Sequence, residues 1–244
     1  MPNGQADRLF FVHIMKTGGA TFRQHLYRTF EHGEVYPVPK QDDMQRAWLV
    51  DELLHLPADR RRRIRVYTGH FPFVVTELMG MELFTLTILR DPVERTISYL
   101  KHCKRYHDQH RDLELHEIYD DPFYYPCFVH NHQSKIFAMT AEDRLESYMD
   151  IVDIDDRRLE IAKGNLEKVD IVGLSERYSD FLEDVSDRLG FHLQKVGNRR
   201  VSREGWDVQP WLRERIAEDN AADVAFYEFG SQLQENRRRA AVDT

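Results

Sequence analysis

The sequence predicts an α/β fold in which a central parallel sheet is flanked by helices. Four short apolar segments, near residues 9–14, 64–69, 83–89 and 169–174, have the composition of buried strands. Segments with helical periodicity follow or separate them. Buried strands that alternate with helices are typical of a parallel sheet covered on both faces.

The helical segments complete this single-domain prediction. Helices are expected near residues 20–30, 42–54, 92–107, 131–138, 156–166, 178–189 and 209–229. Residues 108–130, rich in His, Asp, Tyr and Phe, are predicted to form a loop or cap over a site. Because no Pro/Gly/Ser-rich linker divides the 244 residues, we expect one domain over 1–244, with 1–8 and 231–244 as flexible or peripheral ends.

The first strand leads into a candidate anion site. The run from Leu9 to Ile14 is interrupted by Lys16-Thr17-Gly18-Gly19, and a helical pattern follows. Backbone N–H groups at a helix N-terminus attract anions, and Lys16 adds a full positive charge. The lysine precedes the glycines, so the nucleoside-triphosphatase pattern G-x-x-x-x-G-K-[ST] does not match. A strand–turn–helix without a ligand is the simpler interpretation of this segment alone.

The strand near 83–89 ends in Arg90, and a helix begins at once. Asp91 suits the N-cap, Pro92 the first helical position and Glu94 a capping box. A helix start explains these three residues, but it does not explain Arg90 or Ser98. An arginine and a hydroxyl near a strand–helix junction favour a second phosphate site.

Two phosphate sites that follow two strands resemble those of the sulfotransferases that use 3′-phosphoadenosine 5′-phosphosulfate (PAPS). The resemblance extends to the carbohydrate branch typified by heparan sulfate 2-O-sulfotransferase. It is carried by Val66-Tyr-Thr-Gly-His-Phe71, Asn131-His-Gln-Ser-Lys135, Ala162-Lys-Gly-Asn-Leu166, Val169-Asp-Ile-Val-Gly-Leu174 and Asp223 to Phe229. These segments cover most of the chain from Leu9 to about Phe229, in the order that the family shows.

This resemblance implies a P-loop-like strand–loop–helix that binds phosphosulfate, with PAPS as co-substrate and adenosine 3′,5′-bisphosphate (PAP) as product. His70 is implied as the general base, and Lys16 as the residue that stabilises the leaving group. Ala20 stands where the family commonly has a hydroxyl residue. The implied nucleotide-binding residues are Lys16, Thr17, Gly18, Gly19, Ala20 and Thr21 for the 5′-phosphosulfate, Arg90 and Ser98 for the 3′-phosphate, and Arg200 and Ser202 in a basic loop.

The resemblance further implies an acceptor hydroxyl, most simply on a sugar. Sulfation of a small-molecule or lipid alcohol is an alternative. The candidate acceptor-binding residues are Asn131, Gln133, Lys101 and Arg105. A helix-capping role for Asn131, and a solvated helix face for the two basic residues, explain them equally well.

Composition excludes some classes of protein. A net charge of −8 argues against a general nucleic-acid binder. Two cysteines predict neither a disulfide framework nor a metal site, and no carboxylate cluster indicates magnesium, so we expect no catalytic metal. Without a secretory signal or an apolar run of about 20 residues, a cytoplasmic enzyme with no membrane span is expected.

Two other classes stay open at this point, namely a small-molecule kinase and a noncatalytic nucleotide-binding protein. A kinase needs magnesium ligands and a glycine-first loop. A noncatalytic binder would keep Lys16 and Arg90 but would not need His70. A homo-oligomer is possible.

Overall fold

The computed structural model describes residues 7–38, 46–190 and 207–242. Its centre is one parallel sheet of five strands in the order β2-β3-β1-β4-β5. The strands are β1 (Leu9–Val12), β2 (Val35–Tyr36), β3 (Val66–Gly69), β4 (Phe84–Leu89) and β5 (Ile171–Leu174). The predicted α/β class and all four predicted strands are confirmed. The β2 strand was missed because two residues are too few to show a strand pattern.

Helices surround the sheet. They are α1 (Gly19–Thr29), α2 (Val50–Leu54), α3 (Ala58–Arg63), α4 (Val74–Leu78), α5 (Pro92–Tyr106), α6 (Leu115–Tyr119), α7 (His132–Ala138), α8 (Asp156–Glu167), α9 (Tyr178–Leu189), α10 (Pro210–Asp219) and α11 (Ala221–Val242). Short 3-10 turns cover Arg46–Trp48, Asp108–His110 and Ser175–Arg177, and a π turn covers Tyr125–Val129.

Three predicted segments differ from the structure. The described part of the predicted helix 42–54 consists of the 3-10 turn Arg46–Trp48 and the short helix α2. The region 108–130 is not a loop, because it contains the 3-10 turn, α6 and the π turn. The predicted helix 209–229 is two helices that meet at Asn220, which is fully buried and donates from its side chain to the Ile216 carbonyl. The second helix continues through 231–242, where Arg237 donates to the Val169 carbonyl at 2.6 Å. These contacts join residues distant in sequence, so local periodicity could not reveal them.

Alternation along β1 divides the core into two layers. Phe10 and Val12 belong to a cluster that includes residues of α7, α8 and α11. Leu9 and Phe11 belong to a second cluster that includes residues of α1 and α9. A third cluster joins α5, α6, the π turn and α10. The sheet is therefore covered by helices on both faces. A ligand would approach it at the carboxyl ends of the strands.

The start of α5 confirms most of its prediction. Asp91 is the N-cap, its carboxylate accepts the N–H of Glu94 at 2.9 Å, and Pro92 occupies the first turn. The Glu94 carboxylate pairs with Arg213 of α10 rather than closing a capping box. This helix start is thus fixed locally by Asp91 and tied to the third cluster by Glu94.

Both cysteines are free and buried, as the sequence predicted. In the described part of the chain, no helix combines the length and the apolar character needed to cross a bilayer.

Candidate active site

The ends of three neighbouring strands bring the predicted residues together. Strands β3, β1 and β4 are adjacent, and Val12 pairs with Gly69 on one side and with Thr87 on the other. His70 directly follows β3, the Lys16 loop follows β1, and Arg90 follows β4. The chain passes from β1 to β2 at one edge of the sheet and from β4 to β5 at the other edge. Ligands of open parallel sheets bind at such a switch point, beyond the carboxyl ends of the strands.

The loop between β1 and α1 has a constrained backbone. Lys16 adopts φ 69° and Gly18 adopts φ 94°, a region that is costly for lysine and free for glycine. The hydroxyl of the fully buried Thr17 donates to the Ile14 carbonyl at 3.0 Å. That hydroxyl is therefore used within the loop. In the first turn of α1, the N–H of Thr21 donates to the Gly18 carbonyl at 3.0 Å, whereas the N–H groups of Gly19 and Ala20 have no acceptor within the helix.

Two arginines donate hydrogen bonds to backbone carbonyl groups of this loop. Arg90 donates from Nη1 to the Lys16 carbonyl at 3.1 Å, and the buried Arg95 donates from Nε to the Met15 carbonyl at 3.3 Å. The side-chain amide of Gln133 forms two hydrogen bonds with the backbone of Arg90. Its Oε1 accepts the Arg90 N–H at 3.0 Å, and its Nε2 donates to the Arg90 carbonyl at 2.7 Å. Lys16 and Arg90, predicted to bind different phosphates, thus belong to one connected unit.

Gly19 permits a close approach between this loop and a histidine. A Cβ at Gly19 would lie 2.2 Å from Cδ2 of His13 and 2.9 Å from Cζ of Phe11, so only glycine fits. The His13 ring stacks on Phe11 at 5.3 Å and lies 4.4 Å from the His70 ring. Sequence reasoning missed His13, although its place directly after β1 was a usable signal.

His70 has a defined tautomer. Its Nδ1 lies 2.7 Å from the His13 carbonyl oxygen, and a carbonyl can only accept, so Nδ1 carries the hydrogen. Nε2 is then the atom with a free lone pair. Burial lowers the pKa of His70 to about 4, although the hydrogen bond to His13 opposes this effect. The ring is therefore neutral near pH 7 and able to accept a proton.

Two aromatic rings, those of Trp48 and Tyr148, lie beside the His70 ring. The Trp48 ring lies 5.1 Å from the His70 ring, and the Tyr148 ring lies 5.0 Å from it. Phe128 of the π turn contacts Tyr148 at 5.9 Å. The predicted cap region 108–130 therefore reaches the neighbourhood of His70 through its last turn. The buried indole Nε1 of Trp48 has no hydrogen-bond partner among the described residues.

Helices α7 and α11 cap each other behind the site. The buried Asp223 carboxylate accepts the N–H groups of Gln133 at 3.0 Å and Ser134 at 2.7 Å, in the first turn of α7. In return, Oδ1 of Asn131 accepts the Asp223 N–H at 3.1 Å. Asn131 and Gln133 were candidates for acceptor binding, but their side chains are buried in this framework, where they position Arg90 and the helices.

Buried cations complete the framework. Lys135 is 1% exposed and donates from Nζ to the Cys127 carbonyl at 2.8 Å. Burial lowers its pKa to about 8 and lowers the pKa of Arg95 to about 10. Arg95 also donates to the Phe128 carbonyl, so it connects the Lys16 loop with the π turn. Neither residue was a candidate, because nothing local in the sequence marks a charge as buried.

The other candidates lie farther from the loop or outside the described residues. Ala20 and Thr21 are half-buried in the first turn of α1. Ser98 and Lys101 are half-buried on α5, and Arg105 lies in its last turn, beside Tyr106. At about 1.5 Å per residue, Ser98 is roughly 12 Å along the helix direction from Arg90, and Arg105 roughly 22 Å. Arg200 and Ser202 lie outside the described residues.

The lowered pKa of His70 predicts a pH dependence of stability. The folded pKa of about 4 lies below the ordinary 6.5, so the unfolded state binds the proton first as the pH falls. This histidine's contribution is therefore present above pH 6.5 and is lost as the pH falls toward 4. Between about pH 7.5 and 5.5, we expect wild type to lose about 1 kcal/mol more unfolding free energy than His70→Gln.

Urea unfolding of both proteins at the two pH values measures this difference. Burial is the largest cause of the lowered pKa values of His13 and His132, and it acts in both proteins; the charge of His70 is a smaller cause of both shifts, so most of the difference reports on His70. An equal pH dependence in the two proteins would show that His70 titrates normally in the folded state.

The chain is distantly similar to sulfotransferases. Heparan-sulfate 6-O-sulfotransferase 2 of Danio rerio is 26% identical over 277 residues, covering 93% of this chain and 58% of the relative. Heparan-sulfate 6-O-sulfotransferases 3-B and 1-B of the same organism are 24% and 23% identical over 278 and 271 residues, covering 93% and 95% of this chain and 64% and 67% of the relatives. No model of a known protein family matches the chain.

These distant similarities support a carbohydrate sulfotransferase family. The relatives carry 6-O names, so the resemblance to the 2-O branch is not confirmed. The chain spans 58% of the length of the first relative.

Proposed function

We propose that this protein is a sulfotransferase that moves a sulfuryl group from PAPS to a hydroxyl of a carbohydrate, with His70 as the general base. One observation carries the proposal. The Lys16 loop, His70 and Arg90 follow three adjacent parallel strands, and the hydrogen bond from Nδ1 to the His13 carbonyl leaves Nε2 of His70 free to take a proton. The similarity to heparan-sulfate sulfotransferases supports the same reaction class.

The residues around the loop fit an anionic nucleotide. Lys16 and Arg90 are half-buried cations, and the first-turn N–H groups of α1 face the same end of the sheet. In this proposal, Lys16 and the turn from Thr17 to Thr21 bind the 5′-phosphosulfate, and Arg90 with Ser98 binds the 3′-phosphate. PAPS then supplies the activated sulfuryl group.

The protein's own contribution to transfer is a proton acceptor and a charge. The acceptor hydroxyl gives its proton to Nε2 of His70 as its oxygen bonds to sulfur, and the bond from sulfur to the phosphate oxygen breaks. Lys16 stabilises the negative charge that develops on that leaving oxygen. A histidine with a pKa near 4 is a weak base, and the negative charge of a bound donor raises this pKa toward neutrality.

The acceptor side of the site suits a sugar. Trp48 and Tyr148 present aromatic rings next to His70, and the unpartnered Nε1–H of Trp48 can donate to an acceptor oxygen. The relatives are named for heparan sulfate, a sugar polymer. Lys101 and Arg105 on α5 would contact only a long acidic acceptor, because α5 carries them away from Arg90.

A transfer assay tests the proposal. The protein is incubated with labelled PAPS or with labelled ATP, with and without magnesium, against heparan sulfate, desulfated glycans, lipids and small alcohols. We expect label transfer from PAPS to a glycan without added magnesium. Magnesium-dependent transfer from ATP would instead identify a kinase. Nucleotide binding with no transfer to any acceptor would identify a noncatalytic binder.

A separate binding prediction concerns the 3′-phosphate. We expect wild type to prefer PAP over 5′-AMP, and Arg90→Ala to weaken PAP binding at least about tenfold, because a hydrogen bond to a charged group contributes about 1.5–3 kcal/mol. Calorimetry with both nucleotides measures this effect.

The AMP titration also controls for damage to the loop, since Arg90 supports the Lys16 carbonyl. Arg105→Ala, in the last turn of the helix that follows Arg90, is the matched control and should bind PAP like wild type. Equal losses for PAP and AMP in Arg90→Ala would mean that Arg90 only supports the loop.

A further inference from the structure

A group of metal-ligand side chains forms where α5 ends. His107 is the C-cap of α5 and its N–H donates to the Cys103 carbonyl at 2.9 Å. The following 3-10 turn folds back and brings His110 to the same place. Cys103 Sγ and one ring nitrogen of each histidine all lie within 4.8 Å of one another. No metal site was predicted here, because the spacing of the three residues alone does not show that α5 ends at Tyr106 and that a turn returns His110 to Cys103.

An unpaired buried nitrogen points to a missing partner. His110 is 2% exposed, and its Nδ1 has no hydrogen-bond partner among the described residues. A buried polar atom without a partner destabilises the folded state. The other ring nitrogen, Nε2, lies 3.7 Å from Oδ2 of Asp121. A carboxylate on one nitrogen and a free second nitrogen is the usual arrangement of a metal-binding histidine.

The second histidine is oriented in a similar way. Nδ1 of His107 lies 3.0 Å from the Tyr124 hydroxyl, which leaves Nε2 as the available donor atom. The Tyr124 ring also contacts the His110 ring at 4.7 Å, edge to face. Tyr124 and Asp121 therefore fix both imidazoles from the side opposite their free nitrogens. Cys103, which completes the group, is fully buried.

We propose that Cys103, His107 and His110 bind a zinc ion, with a water as the fourth ligand. One thiolate and two imidazoles suit zinc, whereas magnesium and calcium require oxygen ligands. Ligand atoms of a tetrahedral zinc site are about 3.3–3.8 Å apart, so closure from 4.8 Å needs side-chain shifts of about 1 Å. Binding transfers the thiol proton of Cys103 to solvent and forms the zinc–sulfur bond, without a change of oxidation state.

The ion would stabilise the wall of the active site without taking part in the reaction. It ties the end of α5 to the segment that holds Asp121 and Tyr124, and this segment leads directly into the π turn. The π turn supplies the Phe128 carbonyl to Arg95, whose Nε supports the Lys16 loop. The zinc proposal does not depend on the proposed reaction, because the ion is assigned no part in sulfuryl transfer.

Metal content tests the proposal directly. The full chain, carrying no polyhistidine tag, is stripped with a chelator, dialysed against micromolar zinc and then against metal-free buffer, and its zinc is measured by mass spectrometry. We expect about one zinc per chain in wild type, and little in Cys103→Ser or His110→Ala. Cys127→Ser is the matched control, because the chain's other cysteine is also buried but lies outside the group, and it should retain zinc.

A spectroscopic measurement on wild type covers the case in which a variant fails to fold. Cobalt loaded in place of zinc should give a thiolate-to-cobalt charge-transfer band, because Cys103 is the sulfur ligand. Zinc should also raise the melting temperature of stripped wild type and of Cys127→Ser alike. Wild type that retains no zinc, variants that retain as much as wild type, or a cobalt spectrum without the thiolate band would each overturn the proposal.

Discussion

Replacing His70 by alanine is expected to reduce sulfuryl transfer by about 10²–10⁴, while PAP affinity stays close to that of wild type. The reason is a division of roles. The nucleotide is assigned to the Lys16 loop and to Arg90, which are tied together by the hydrogen bond from Arg90 to the Lys16 carbonyl. His70 acts only on the acceptor's proton, through Nε2. Steady-state transfer rates and calorimetric titration with PAP, measured on the same preparation, separate the two effects.

Two further variants make the His70 result specific. His70→Asn keeps an N–H that can donate to the His13 carbonyl, but it offers no atom that accepts a proton near neutral pH. It should be as inactive as the alanine variant. His55→Ala, at an exposed position after α2, is the matched control and should be fully active. Transfer by His70→Ala within about threefold of wild type would make His70 a structural histidine.

Replacing Lys16 by methionine is expected to lower both PAP affinity and kcat, the latter by about 10²–10³, as is typical when one donor to a developing charge is removed. Methionine keeps the length of the side chain and the unfavourable φ of 69°, so the backbone strain is the same in both proteins. The lost ammonium contacts the bound donor and the leaving oxygen. Its removal therefore weakens both the ground state and the transition state.

Comparing kcat and PAP affinity in the Lys16→Met and His70→Ala variants separates the roles of the two residues. Loss of kcat without loss of affinity is expected for His70, and loss of both for Lys16. Lys16→Arg should restore much of the binding, and Lys163→Met, which removes a lysine of α8 paired with Glu160, should change neither quantity. A Lys16→Met protein with weakened binding but unchanged kcat would show that Lys16 stabilises the bound donor and the transition state equally, and would contradict its role at the leaving oxygen.

Gly19 shows how closely the loop and the base are coupled. Because a Cβ at this position would overlap the His13 ring, a larger residue must displace either the loop that carries Lys16 or the histidine whose carbonyl orients His70. The anion site and the proton acceptor therefore share one packing contact. Gly19 is therefore required for the position of the His13 ring as well as for the turn that carries Lys16.

The sequence by itself was sufficient for the fold class and for the placement of Lys16, His70 and Arg90 after neighbouring strands. The apolar runs that became β1, β3, β4 and β5 are local patterns, and the structure has a strand at each of them. Parallel strands place their carboxyl ends on one edge, so Lys16, His70 and Arg90 could be expected to converge before any coordinates existed. The N-cap of α5 was equally local, since Asp91 and Glu94 are three residues apart.

Tertiary structure alone decided the environment of these residues. The tautomer of His70 depends on the carbonyl of His13, 57 residues away, and the position of Arg90 depends on Gln133, 43 residues away. The Asp223 carboxylate caps a helix whose residues lie about 90 positions earlier in the chain.

His107 lies four residues after Cys103 and would be beside it on any helix, whereas His110 joins them through the 3-10 turn that follows the end of α5. Periodicity and turn residues act over a few positions and are therefore visible in the sequence. The protonation state of a buried group, by contrast, depends on atoms from distant parts of the chain that the fold places beside it. Because water is excluded, each hydrogen bond or charge at such a site has a large effect on the pKa.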